Sequence, residues 1–187
     1  MPGTNPGTTP GTVPGTRRLR PVSDDCLFCQ IVAGAVPSIR VHEDERAIAI
    51  MDIYPATRGH VLVIPRQHAD DIHSVSDEDV AHCASVAKRL AGRAMAALSA
   101  DGVTIMQSNG AAAWQTIFHY HVHVIPRRAD DGFDIPLPFP GSEMPDRTVL
   151  DMNAARIISA FRDPVATRKR TERRSAVTDR RAPSSHK

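Results

Sequence analysis

The sequence predicts an α+β domain in which a mainly antiparallel five-stranded sheet carries helices on one face. Three observations predict it. Five short runs rich in Val, Ile and Leu recur between Ile39 and Pro126. One long run with apolar residues at helical spacing, Ser76 to Ser99, separates the first three from the last two. The connections are short, which suits antiparallel neighbours better than crossovers.

Each element has its own signal. Cys26 to Ala33 reads as a short helix, with Asp24 or Asp25 as cap and Gly34 as stop. Ile39 to His42 and Ala47 to Ile53 read as strands around a Glu43-Asp44-Glu45 turn, and His60 to Pro65 as a third strand. In the long helix Ser76 is the cap, with Asp79 three residues on. Its buried face is Val80, Cys83, Ala84, Ala87, Leu90, Ala91, Ala94 and Leu98. Gly102 to Gln107 is a fourth strand, the segment around His119 to Pro126 a fifth, and Asp151 to Phe161 a last helix.

At 187 residues and 41% apolar content the chain is long enough for one cored domain with tails. Only 4% is aromatic, so the core is aliphatic. No stretch approaches the roughly 18 apolar residues of a membrane span. Met1 to Thr16 has no apolar region of a secretory signal. Three cysteines, Cys26, Cys29 and Cys83, are too few for a disulfide scaffold. A cytoplasmic setting follows as the expectation. The net charge of +2 hides a division. Val165 to Lys187 carries eight Lys/Arg against two acids, Met1 to Val22 carries three Arg, and the middle is acidic. Residues 1–22, with Pro-Gly-Thr at 2, 6, 10 and 14, read as a disordered arm. Residues 23–164 read as the folded domain and 165–187 as a disordered basic tail. A nucleic-acid partner is not expected from a basic pI that resides in the tails.

The most informative segment is His119-Tyr120-His121-Val122-His123-Val124-Ile125-Pro126. On a strand, alternate side chains face one way, so all three imidazoles would share a face. Imidazoles two positions apart would sit roughly 6.6 Å apart at the backbone. Three rings that titrate near neutral pH at one place suit phosphate chemistry or metal binding. One ion held by all three is disfavoured, because roughly 13 Å separates the outer two backbone positions. Ser108-Asn109-Gly110 and Gln115-Thr116 lie just upstream and can donate hydrogen bonds to phosphate oxygens. Cys26-Leu27-Phe28-Cys29 reads either as a metal half-site completed by His68 and one of the triple histidines, or as plain buried thiols. A redox pair would need a strand before it and a long helix after it. Cys83 is read as core.

Several blocks resemble the zinc-containing bacterial, Hint-like branch of the histidine-triad (HIT) family. They are Cys-Leu-Phe-Cys-Gln-Ile-Val-Ala-Gly at 26–34, Asp52-Ile53, Gly-His-Val-Leu-Val-Ile-Pro-Arg-Gln-His at 59–68 and Gln-Thr-Ile-Phe-His-Tyr-His-Val-His-Val-Ile-Pro-Arg at 115–127. They follow in order across about 26 to 128. The resemblance implies a HIT-like fold, a homodimer and a hydrolase that attacks the α-phosphorus of purine nucleoside 5′-phosphoramidates or related conjugates. His121 matches the nucleophile, which forms a nucleotidyl-histidine intermediate. His123 matches the phosphate-contacting histidine, His60 a further histidine beside the site, and Thr116 the leaving-group side.

By the same resemblance, Asn109 and Gln115 contact phosphate and Asp52 accepts the ribose hydroxyls. Phe28, Ile31 and Ile53 form an apolar slot for the purine. Cys26, Cys29, His68 and His119 match the ligands of a structural zinc, with no organic cofactor. Trp114 departs from the pattern, because relatives have Gly there. Two alternatives stay open: hydrolysis of dinucleoside polyphosphates, and nucleotide binding with little turnover.

Overall fold

The computed structural model describes residues 25–135 and 145–162. The arm at 1–22 and the basic tail at 165–187 lie outside the described residues. The chain divides into two compact units after Asp131, inside the stretch read from sequence as one domain.

The first unit holds α1 (Leu27–Ala33), β1 (Arg40–Glu43), β2 (Ala47–Met51), β3 (Val61–Pro65), α2 (Asp77–Leu98), β4 (Gly102–Met106), one 3-10 turn (Ala111–Ala113) and β5 (Val122–Arg127). The strands form one sheet in the order β1-β2-β3-β5-β4, and every neighbouring pair is antiparallel. The predicted α+β class and five-stranded sheet are observed.

The two faces of the sheet are built from residues of different size. Ala47, Ala49, Val61, Val63, Val122 and Val124 pack on Cys83, Val86, Ala87, Leu90 and Ala91 of α2. Ile48, Ile50, Leu62 and Ile64 pack on Phe28 and Ile31 of α1. Small side chains on one face let the long helix approach closely, and large ones fill the other. Helices on one face therefore describes α2 alone; α1 packs on the opposite face. Burial of Ile48 and Ile64, each fully enclosed, stabilises the fold by about 2 kcal/mol apiece.

Local chemistry fixes the element ends. Ser76 Oγ accepts from the Asp79 amide at 3.1 Å, and its hydroxyl donates to Asp79 Oδ2 at 2.8 Å, so the predicted cap is formed. Helix α1 is capped by Cys26, one residue later than expected and without a side-chain bond, while Gly34 closes it at φ +80°.

In the β1–β2 turn, Asp44 accepts from the amides of Arg46 and Ala47 and from His42 and His82. Burial raises this carboxyl, but those four donors outweigh burial and hold it below its usual range. Asp44→Ala strands them all, and urea denaturation is expected to report a loss of about 2 kcal/mol.

Gly59 sits at φ +93°, and a Cβ there would meet Leu98 Cδ1 at 2.2 Å and Pro126 Cγ at 3.3 Å. The Leu98 tip can swing aside, but the backbone strain remains. Gly59→Ala is expected to cost about 1–3 kcal/mol in the same measurement.

The second unit contains α3 (Arg147–Arg162). It starts four residues before the predicted Asp151, because Asp146 Oδ1 accepts from the Thr148 amide at 2.7 Å and opens the helix there. No helix among the described residues is long and apolar enough to cross a membrane.

Candidate functional site

Strand β5 begins at Val122, so only His123 of the three histidines lies on a strand. Period-2 alternation predicted a strand from His119. Local bonds compete with the sheet ladder there. The His119 amide donates to Ile117 O at 3.0 Å and the Tyr120 amide to Ala69 O at 2.6 Å. The three imidazoles still share the α1 face of the sheet, opposite Tyr120, Val122 and Val124, and divide there between two clusters.

His119 is fully buried and joins Cys26, Cys29 and His68. Its Nε2 lies 3.0 Å from Pro65 O, which can only accept, so the proton is on Nε2 and Nδ1 carries a bare lone pair. His68 repeats the arrangement, with Nε2 3.0 Å from Asp70 Oδ1. The two Nδ1 atoms face each other at 3.3 Å, and two lone pairs that close repel unless a cation sits between them. Cys26 Sγ and Cys29 Sγ lie 3.5 and 3.6 Å from His119 Nδ1, and Cys29 Sγ lies 3.2 Å from His68 Nδ1. A tetrahedral zinc with ordinary bond lengths has S···N edges of ~3.6 Å and N···N edges of ~3.3 Å. The donor set therefore fits a four-coordinate zinc, and burial, which pushes His119 down to about 4, keeps that ring a neutral ligand.

The second cluster contains His121, His123, His60 and Asp52. The His121 ring folds back on the main chain, and Nδ1–H donates to His119 O at 2.6 Å. Its Nε2 is left as a lone pair. The rings of His121 and His123 are 4.8 Å apart, and those of His60 and His123 are 5.1 Å apart.

A chain of hydrogen bonds fixes the protons. The Ala56 amide donates to His60 Nδ1 at 3.1 Å. His60 therefore holds its proton on Nε2 and donates it to His123 Nδ1 at 2.9 Å. His123 then carries its own proton on Nε2, the one donor its ring can offer a ligand. Asp52 Oδ2 lies 3.3 Å from His60 Nδ1, an ion pair only if that nitrogen were protonated. Burial lowers His60, and the Ala56 amide already uses the lone pair, so the neutral arrangement stands.

Burial also lowers His121, against the opposing pull of the His119 carbonyl and Asp52. Burial and the charges of His121 and His60 bring His123 down to about 4. His123 thus stays neutral at pH 6–8 and gains its charge only as pH falls towards 4. Any acid limb of a pH–rate profile that reports His123 is expected between pH 4 and 5, not at the 6.5 of a free imidazole. A pH–rate profile checks this, and a limb at 6.5 that vanishes in His123→Gln would contradict it.

Other predicted residues take different places. Gln115, expected at phosphate, is 3% exposed and spends its amide on backbone groups. It accepts from the Gly110 amide and donates to Asp70 O and Ile117 O, so it braces the loop. Asn109 accepts from the Ile72 amide and pairs with Gln107, which leaves one amide proton for a ligand. Phe28 and Ile31, expected in a purine slot, are buried against the sheet. Their partner in that slot, Ile53, is 79% exposed on the loop after β2. Thr116 is exposed on the loop before His119.

Trp114 is 68% exposed and stands at φ +66°, a conformation that favours glycine. That is a physical reason for the Gly that the family resemblance implies at this position. Asp70, Ala56 and the carbonyls of Pro65 and His119 orient the histidines and were missed by sequence reasoning. Asp70 had a signal, an acid two residues after a ligand-type histidine; backbone groups leave none.

Comparison with known proteins identifies the family. The family model for the HIT domain matches residues 33–130. An uncharacterized HIT-like protein of Mycobacterium tuberculosis is 43% identical over 110 residues, 59% of this chain and 76% of its own length. Adenylylsulfatase HINT3 of Arabidopsis thaliana is 34% identical over 110 residues, 59% of this chain and 56% of its own. The crystal structure of a Zn-bound histidine triad family protein from Mycobacterium smegmatis superposes with a TM-score of 0.57 at 42% identity, over 73% of this chain and 97% of that one. The match to the HIT model spans just over half of the chain and takes in His60, His68 and all three histidines of the motif, and this chain belongs to the HIT family.

Proposed function

We propose that the chain is a nucleotide hydrolase that cleaves at the α-phosphorus of purine nucleoside 5′-phosphoramidates or related conjugates and releases a nucleoside monophosphate. One observation carries the reading: His121 Nδ1–H is held by the His119 carbonyl at 2.6 Å, which leaves Nε2 as a neutral nucleophile at pH 7.

Attack by Nε2 forms an N–P bond. The bond from phosphorus to the leaving group breaks, and the leaving group takes the electron pair and a proton from solvent water. The His121 ring becomes positively charged, and the His119 carbonyl faces that charge. His123, held by His60, offers its Nε2–H to a phosphate oxygen. Water then attacks phosphorus and forms a P–O bond, the N–P electron pair returns to His121 Nε2, and the water's proton leaves to solvent. Asp52, already placed by the Tyr54 amide at 2.8 Å, is the acceptor for ribose hydroxyls, and Thr116 attends the leaving group. The family relation to an adenylylsulfatase supports chemistry at a nucleotide phosphate.

Cys26, Cys29, His68 and His119 are proposed to hold a structural zinc. A closed four-ligand site supplies folding free energy and no open position for catalysis. The reading also carries a homodimer and a cytoplasmic setting.

Rates on adenosine 5′-phosphoramidate and on a diadenosine polyphosphate test the substrate class. kcat/KM is expected to favour the phosphoramidate by at least about tenfold. The reverse ratio would favour the polyphosphate alternative, and nucleotide binding without turnover of either would favour a regulator.

A further inference from the structure

Phe28 lies between Cys26 and Cys29 in sequence, in the first turn of α1, and its ring is 3% exposed. It meets the His121 ring edge-on, with centroids 5.1 Å apart and planes at 81°. It meets the His119 ring at 6.0 Å and 71°. The Phe28 ring and the His119 carbonyl thus hold the nucleophile from the α1 side, with the His123 ring as a third neighbour. The first two belong to residues fixed by the Cys26–Cys29–His68–His119 cluster: Phe28 is flanked by two of its donors and His119 is another. Cys26 Sγ and Cys29 Sγ lie 3.5 and 3.6 Å from His119 Nδ1, so the first turn of α1 lies against His119 with Phe28 on His121.

We propose that Phe28 is a positioning residue through which the Cys26–Cys29–His68–His119 cluster, when it holds zinc, sets the orientation of His121. The inference rests on the zinc reading above and goes beyond it, because it gives a closed metal site a bearing on turnover. Groups that orient a metal site typically change activity by 10–100-fold when altered. Coupling between two sites is reciprocal, so an altered Phe28 also loosens the link in the other direction.

The test compares the wild type with Phe28→Leu, both loaded with zinc, and the wild type after chelation. The first readout is zinc per chain, the second the imidazole ¹⁵N signals of His121, identified by their loss in His121→Ala. The third is kcat against KM on adenosine 5′-phosphoramidate. Phe28→Leu is expected to keep one zinc per chain, to move the His121 signals, and to lower kcat by about tenfold with KM changed far less. Chelated wild type is expected to show His121 signals moved the same way. If it unfolds, the zinc-loaded Phe28→Leu comparison still decides.

One zinc per chain with His121 signals and kcat unchanged in Phe28→Leu would overturn the coupling and leave the zinc reading intact. Absence of zinc binding in the wild type would overturn both, so the two failures are told apart.

Discussion

His121→Ala is expected to lower kcat on a nucleoside phosphoramidate by on the order of 10⁴-fold or more while the protein stays folded. The size follows from the geometry. In the proposed chemistry His121 makes the bond to phosphorus, and its Nε2 is the nitrogen left free when Nδ1–H is tied to the His119 carbonyl. His123 cannot take over, because its Nδ1 accepts from His60 and its Nε2 bears a proton. The fold tolerates the loss better than the site does: His121 packs beside Phe28 at the end of the sheet and supplies no strand pairing. Steady-state kinetics and circular dichroism together check the prediction. A loss of less than tenfold would mean that another group attacks phosphorus.

Removing the metal should produce the largest change in stability. Four donors at tetrahedral spacing join α1, the segment after β3 and the segment before β5. At free zinc roughly a thousandfold above Kd, the bound ion stabilises the native state by about 4 kcal/mol. Chelation is therefore expected to lower Tm by on the order of 10 °C. Cys29→Ala is expected to show the low Tm with or without zinc, because it removes a ligand that faces both His68 and His119. Cys83 lies elsewhere, fully buried against α2 and the sheet, where burial pushes its thiol up to about 12, so Cys83→Ala should leave zinc dependence unchanged. Calorimetry with and without chelator measures all three. Equal Tm values in the wild type would contradict the zinc reading.

The parts of the fold legible in the sequence are those where one force dominates. β3 is buried along its whole length and reads as an apolar run. α2 reads from its periodicity and from Ser76, whose cap is formed. The segment before β5 misleads because two rules conflict. His119-Tyr120-His121 alternates like a strand, but a carbonyl that accepts from a side chain two residues on, and a buried donor cluster, take the first two histidines out of the ladder. Gln115 misleads for a related reason. An amide beside a phosphate-type loop looks like a ligand contact, yet here backbone groups of that loop and of the segment after β3 consume it. Phe28 reads from sequence as an apolar wall, and its neighbours turn out to be two histidine rings. Residue types were legible in each case. What they bond to depends on chain segments far apart in sequence.

The central claim is that His121 carries the nucleotide between bond breaking and hydrolysis. Mixing the protein with adenosine 5′-phosphoramidate, quenching in the first turnovers and mapping the product by mass spectrometry tests it directly. The account predicts a peptide containing His121 that is heavier by one adenylyl group and is absent from His121→Ala. An unmodified His121 in enzyme that is turning over, or an adduct on His123 instead, would contradict it.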